Sequence, residues 1–170
     1  MRIFLLSFTL LFTTNILAGE IDDVFGAGVF GTKWGFSIHE VQATHPEGEK
    51  KSYGDIHHYK IKDGRTVLGV ERSTSDEITF AFDSEKRLSS VGVYFDGSDE
   101  MGDLLSKLNT LFGTHIIDET DSVDNVQKWQ SENVKVTLLL MGGIFNSKTI
   151  LTIEYLALEK PGLSKSDLGF

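Results

Sequence analysis

The sequence predicts an α+β fold, in which an antiparallel sheet of about seven strands carries two helices on one face. One observation is a stripe of apolar residues at helical spacing between Met101 and Phe112. Another is the alternation of apolar and polar residues in several short segments that polar turns separate. The elements follow the order α-ββββ-α-βββ, and tight turns between neighbouring strands make them antiparallel.

The first predicted helix is short and has clear boundaries. Residues 19–35 are rich in glycine and aromatic residues, and we predict an extended lead-in there. Ser37 and Glu40 then have the spacing of a capping box, which starts a helix over residues 38–44. Pro46 ends it, because proline disfavours helical geometry at the preceding residue.

Four strands are predicted between the two helices. Asp63-Gly64 is typical of a two-residue hairpin turn, since both turn positions favour residues that tolerate positive φ. A second hairpin follows, with a polar turn between two alternating segments. The predicted strands are Ile56–Lys62, Arg65–Glu71, Ile78–Phe82 and Val91–Phe95.

The second predicted helix has the strongest pattern in the sequence. Ser98 is placed to cap its N-terminus, and Gly113 suits the position after its last turn. Three further strands follow an acidic connection. They are predicted over Val126–Gln130, Val134–Met141 and Thr149–Ala157.

The N-terminus has the pattern of a secretory signal peptide. A basic start at Arg2 precedes ten mostly apolar residues over 3–12, and Ala18 offers a small residue for cleavage. The apolar run is shorter than the roughly 20 residues that a membrane span needs. We therefore predict a signal peptide over 1–18, one α+β domain over 19–160 and a flexible tail over 161–170.

The predicted location is the bacterial periplasm or the exterior of the cell. The chain contains no cysteine, so no lipid can be attached at the cleavage site. No later apolar run has the length of a membrane span, so we predict no membrane anchor.

The net charge restricts the class of partner. It is −9 for the whole chain and becomes −10 when the segment containing Arg2 is removed. Nucleic acid is not an expected partner, because neutralising phosphates requires clustered Lys and Arg. The acidity favours either a protein partner with a basic surface or simply solubility.

Two motif-like patterns fail a geometric test. Gly26, Gly28 and Gly31 match a dinucleotide fingerprint in letters, but no preceding strand or βαβ unit accompanies them. His39 and His45 are six residues apart, whereas a helical zinc site needs histidines four apart on one face.

No catalytic residue, cofactor or metal ligand is predicted. His57 and His58 are adjacent on a strand and point to opposite faces, so they do not share an ion readily. No nucleophile elbow or phosphate-binding loop occurs. An enzyme with a dispersed site remains an alternative.

The predicted partner-binding residues are two aromatic residues and four acidic ones. Tyr94 is out of phase with its apolar neighbours in the strand and therefore points to the other sheet face. Tyr and Trp are favoured anchors at interfaces. The acidic residues lie in the connection after the second helix, where their spacing does not match an EF-hand. The full set is Tyr94, Trp129, Asp118, Glu119, Asp121 and Asp124.

The segment Trp34–Val41, read as Trp-Gly-Phe-Ser-Ile-His-Glu-Val, resembles a helix opening in small bacterial envelope proteins. That group contains the SmpA/OmlA-type outer-membrane assembly lipoproteins and the β-lactamase inhibitor protein. The resemblance implies short helices on an antiparallel sheet and a role in binding other proteins. The chain departs from the lipoproteins in lacking the lipid-attachment cysteine.

These features favour a non-enzymatic protein-binding module of inhibitor, immunity or envelope-assembly type. A second hypothesis is a small-ligand or lipid binder with a pocket between helix and sheet. A third is the enzyme with a dispersed site.

The signal peptide leads to a direct test. When the full chain is expressed in a bacterial host, we expect N-terminal sequencing of the exported protein to begin at Gly19. The Leu6→Arg variant places a charge in the apolar run, so it should remain unprocessed. An exported protein that still begins at Met1 would contradict the prediction.

Overall fold

A computed structural model describes residues 18–53, 56–116, 126–142 and 147–158. Three helices and seven strands lie in this part of the chain. The helices are α1 (Ala18–Phe25), α2 (Ile38–Thr44) and α3 (Asp99–Phe112). The strands are β1 (Glu49–Tyr53), β2 (Ile56–Lys62), β3 (Glu77–Phe82), β4 (Leu88–Asp96), β5 (Val126–Gln130), β6 (Val134–Met141) and β7 (Lys148–Tyr155). None of these helices combines the length and hydropathy of a membrane span.

The seven strands form one sheet in the order β1-β2-β3-β4-β7-β6-β5. Every neighbouring pair is antiparallel. The predicted fold class is therefore confirmed. Because β7 inserts between β4 and β6, the last three strands continue the sheet that the first four begin.

The core lies on one face of the sheet. Directly paired residues of antiparallel strands share a face, and six such residues form a row across β2, β3, β4, β7, β6 and β5. Each side chain in this row is at most 2% exposed. The row consists of Tyr59, Phe80, Val91, Ile153, Val136 and Trp129. Buried side chains of all three helices join the same cluster, so the helices cover this face.

The predicted caps are partly confirmed. Ser37 accepts a hydrogen bond from the Glu40 amide, and the Glu40 carboxylate accepts one from the Ser37 amide, so the capping box is present. These bonds to Ser37 hold the pKa of Glu40 below its ordinary value. Gly113 ends α3 at φ 78°, as expected. The predicted Ser98 cap is wrong, because its side chain makes no capping hydrogen bond.

Helix α1 was not predicted, since residues 19–35 were expected to be extended. Ile21 and Phe25 lie on one side of this helix and are buried. The Phe25 ring meets the edge of Phe112 in α3 at 5.8 Å between centroids. A helix of this length is not stable alone, so tertiary packing stabilises it.

The predicted hairpin at Asp63-Gly64 is wrong. β2 pairs instead with β1 and β3, and residues 65–71 form a loop that contains a small turn bridged between Val67 and Val70. A Cβ on Gly64 would lie 2.8 Å from Thr74 Cα. The glycine at position 64 is thus required for close approach of the returning loop rather than for a hairpin turn.

The start of α1 is joined to the turn between β5 and β6. Ser131 Oγ donates to Asp22 Oδ1 at 2.6 Å, and Asn133 Nδ2 donates to Asp22 Oδ2 at 3.3 Å. Ser131 is buried, so its hydroxyl depends on protein partners. Asp22 therefore fixes the helix against the sheet.

The Asp22→Ala variant should lower the free energy of unfolding by about 1–3 kcal/mol, because it removes a charged acceptor from a buried hydroxyl. The matched control is Asp23→Ala, which alters an exposed residue of the same helix and should change stability by at most about 0.5 kcal/mol. Urea denaturation measures both variants. Equal midpoints for the two would show that the contact does not stabilise the fold.

Candidate functional site

The face of the sheet opposite the helices is the candidate binding surface. Residues that alternate with the core residues point to this side, which we call the open face. No described helix buries its side chains here. The row through the middle of the open face consists of Lys60, Thr79, Gly92, Thr152, Thr137 and Lys128.

A strip of apolar side chains crosses the open face next to this row. Tyr94, Ile150, Leu139 and Val126 are paired directly across β4, β7, β6 and β5. Met141 follows Leu139 on the same face and is 51% exposed. We call these five residues the apolar strip. Ile150, paired between Tyr94 and Leu139, is only 7% exposed.

Two neighbours position Tyr94. The Arg72 guanidinium, itself buried, donates from Nε to the Tyr94 carbonyl at 2.9 Å and from Nη2 to the Glu77 carbonyl at 2.9 Å. On the open face, a Cβ on Gly92 would lie 3.5 Å from Tyr94 Cε2. The tyrosine ring therefore lies within ordinary van der Waals distance of the Gly92 position.

Arg72 keeps its charge inside the protein. Burial lowers the pKa of the Arg72 guanidinium, while Asp76 and Asp63 oppose this effect. Arginine stays protonated in proteins. Its third bond, from Nη1 to the Asp63 carbonyl at 2.7 Å, connects the loop after β2 with the strand ends beneath Tyr94.

Two ion pairs lie on the open face, one of which includes Lys60 of the middle row. Lys60 Nζ lies 3.0 Å from Glu77 Oε2, and Lys135 pairs with Glu154. The pKa of His58 on the same face is lowered by burial, then by Lys60 and His57. His58 is therefore neutral at neutral pH and adds no charge to the face.

One buried hydroxyl of the open face has no partner in the described part of the chain. Thr79 is 6% exposed, and its Oγ1 makes no hydrogen bond there. A buried polar group without a partner costs free energy.

The two aromatic residues predicted to bind a partner lie on opposite faces of the sheet. Tyr94 points to the open face, as predicted, and is partly exposed. The predicted exposure of Trp129 is wrong: it is 2% exposed and packs in the core, where Nε1 donates to the Gly113 carbonyl at 2.9 Å. Its register opposite Val136 places it on the helix-covered face. Trp129 therefore does not belong to the open face.

The four acidic candidates lie outside the described residues. These are Asp118, Glu119, Asp121 and Asp124. Four strip residues, in contrast, were not predicted: Val126, Leu139, Met141 and Ile150. The signal for them was the apolar run 138–141 and the pair 150–151, because strands with one solvated face should alternate strictly.

The histidines do not form a site. His45 is buried, and its Nε2 donates to the Phe30 carbonyl at 2.9 Å, while His39 is exposed. Ser52 Oγ lies 3.0 Å from His57 Nδ1, where β1 and β2 pair. Among the described residues, no three His, Asp or Glu side chains converge to hold a metal ion.

A cleft of about 310 Å³ lies between α1 and the sheet. Its floor is Leu151 and Ile153 of β7, and its rim includes Val24, Phe30 and Leu68. The lining is mostly apolar, as in many small-molecule pockets. This cleft is the place in the fold where the predicted helix-sheet pocket would lie.

Substitutions distinguish core from surface. Trp129→Ala should lower the free energy of unfolding by about 3–5 kcal/mol, since it leaves a core cavity. Met141→Ser, in the strip, should change it by at most about 0.5 kcal/mol. Urea denaturation measures both. A large loss for Met141→Ser would mean that the strip is covered in the folded protein.

Comparison with known proteins assigns no family. No protein-family model matches the chain, and no curated protein matches it significantly. A solved structure, a DUF4309 family protein (YjgB) from Bacillus subtilis subsp. subtilis str. 168, is similar to it. The TM-score is 0.47 at 12% sequence identity, over 77% of this chain and 83% of that one. A likeness of this degree establishes neither family nor function.

Proposed function

We propose that this protein is an exported, non-enzymatic binding module that docks on another protein through the open face of its sheet. The observation that carries the proposal is the apolar strip. Scattered apolar residues are normal on a protein surface, whereas a contiguous apolar patch marks an interaction site. The partner decides whether the module acts as an inhibitor, an immunity protein or an envelope-assembly factor.

The chemistry of the strip suits a protein partner. Tyr and Met are enriched in the cores of interfaces, and the strip contains Tyr94 on β4 and Met141 on β6. The row of threonines beside it supplies hydroxyl groups for hydrogen bonds around an apolar centre. A flat sheet face contacts a broad partner surface rather than enclosing a small substrate.

Export supports the same function. The N-terminal pattern favours secretion, and the chain has no cysteine to which a lipid could be attached at the cleavage site. An exported domain of this kind meets its partner in the periplasm or outside the cell.

The proposal is tested with matched surface variants. The exported protein is immobilised and exposed to an envelope extract of the native organism, and retained proteins are quantified by mass spectrometry. Met141→Glu places a charge in the strip and should reduce retention of the partner at least about tenfold. The control is Leu111→Glu, which changes a 42% exposed apolar residue on α3 and should leave retention unchanged.

Retention that is equal in both variants would place the interface elsewhere and contradict the proposal. Failure to retain any protein at low salt would contradict it as well. Circular dichroism and urea midpoints confirm that both variants are folded.

The cleft under α1 favours a second candidate function, the binding of a small apolar ligand. Its apolar lining and the exposed rim residue Val24 are the observations behind it. An apolar molecule that copurifies with the protein and is released by organic solvent would favour this function over protein binding.

A further inference from the structure

Charge is distributed unevenly between the two sides of the molecule. The strand positions that point to the open face contain six lysines and four carboxylates. The lysines are Lys51, Lys60, Lys62, Lys128, Lys135 and Lys148, and the carboxylates are Glu49, Glu77, Asp96 and Glu154. The open face therefore has a surplus of positive charge, although the chain has a net charge of −9.

The helix-covered side has the opposite sign. Helices α1 and α3 together contain six carboxylates and one lysine, Lys107. The carboxylates are Glu20, Asp22, Asp23, Asp99, Glu100 and Asp103. Among the described helices, α1 and α3 thus place six carboxylates on the side away from the apolar strip.

Two lysines lie near the strip, Lys62 beyond its Tyr94 end and Lys148 along one side. Lys62 lies directly opposite Glu77 in the register of β2 and β3. The Arg72 guanidinium donates hydrogen bonds to the backbone carbonyls of both Glu77 and Tyr94. Lys148 is paired with Met141 on one side and with Asp96 on the other, and it precedes Ile150 by two residues on the same face. Both side chains are exposed, so they can contact a docked chain.

We propose that the partner presents a segment with apolar side chains flanked by aspartate or glutamate. The inference rests on the proposed function, since it names the chemistry of a partner for the same face. Apolar side chains of the segment cover the strip, and its carboxylates pair with Lys62 and Lys148 beside the strip. The net negative charge of the protein would repel such a partner at long range, so the partner approaches with α1 and α3 turned away.

Two defined peptides test this partner chemistry. One is an octapeptide of alternating Leu and Glu, and the other has Lys in place of Glu. Each is titrated into isotopically labelled exported protein, and amide chemical shifts are followed by NMR. We expect the acidic peptide to shift the amides of Tyr94, Leu139 and Ile150, and the basic peptide to leave them in place.

Charge reversal provides the matched variants. Lys62→Glu combined with Lys148→Glu should weaken binding of the acidic peptide about tenfold, because two favourable charge contacts become repulsive. Asp99→Lys combined with Asp103→Lys reverses two exposed charges on α3 and should not weaken it. Chemical-shift spectra without peptide verify the fold of each variant.

Strip shifts produced equally or more strongly by the basic peptide would overturn the inference, as would the absence of strip shifts with either peptide. The inference fails alone if Met141→Glu still abolishes retention from the envelope extract. If that retention is also unaffected, the proposed function fails with it.

Discussion

The structure depends on one row of side chains that crosses six strands on the covered face of the sheet. Tyr59, Phe80, Val91, Ile153, Val136 and Trp129 are paired directly and almost wholly buried. Successive side chains of a strand point to opposite faces. Burial of this row therefore fixes the register, and the residues before and after each row member point to the other face. The three helices pack on this face and bury the row. The composition of the open face is therefore a direct consequence of how the core is packed.

Burial on one face does not require apolar residues on the other. The outward positions of an antiparallel sheet are usually polar, and most of the middle row follows this rule with threonine and lysine. β6 and β7 depart from it, because Leu139 and Ile150 point outward beside inward Leu138 and Leu151. Neither outward residue belongs to the core cluster of the described residues, which is why the proposed docking surface is placed on them.

Elements with a strong local pattern could be predicted from the sequence, and elements that depend on tertiary contacts could not. The capping box predicted α2 at its observed bounds, and the apolar stripe predicted α3. β1 has lysines and no apolar alternation, and its backbone pairing with β2 alone makes it a strand. The two predicted aromatic site residues show the same difference. Tyr94 could be placed by its phase, whereas Trp129 is the single aromatic residue of a short strand, and only its register shows which face it takes.

Net charge shows the same limit, because composition gives the sum of charges and not their positions. The value of −9 favoured a basic partner when the chain was considered as a whole. The register then places six lysines around the face that carries the apolar strip, and the packing places the carboxylates of α1 and α3 on the other side. Short-range pairing at an interface depends on the charges that actually meet there, and these are screened from distant ones within about 10 Å. The proposed acidic partner segment therefore follows from the charges of the sheet face, whereas composition alone favours a basic partner.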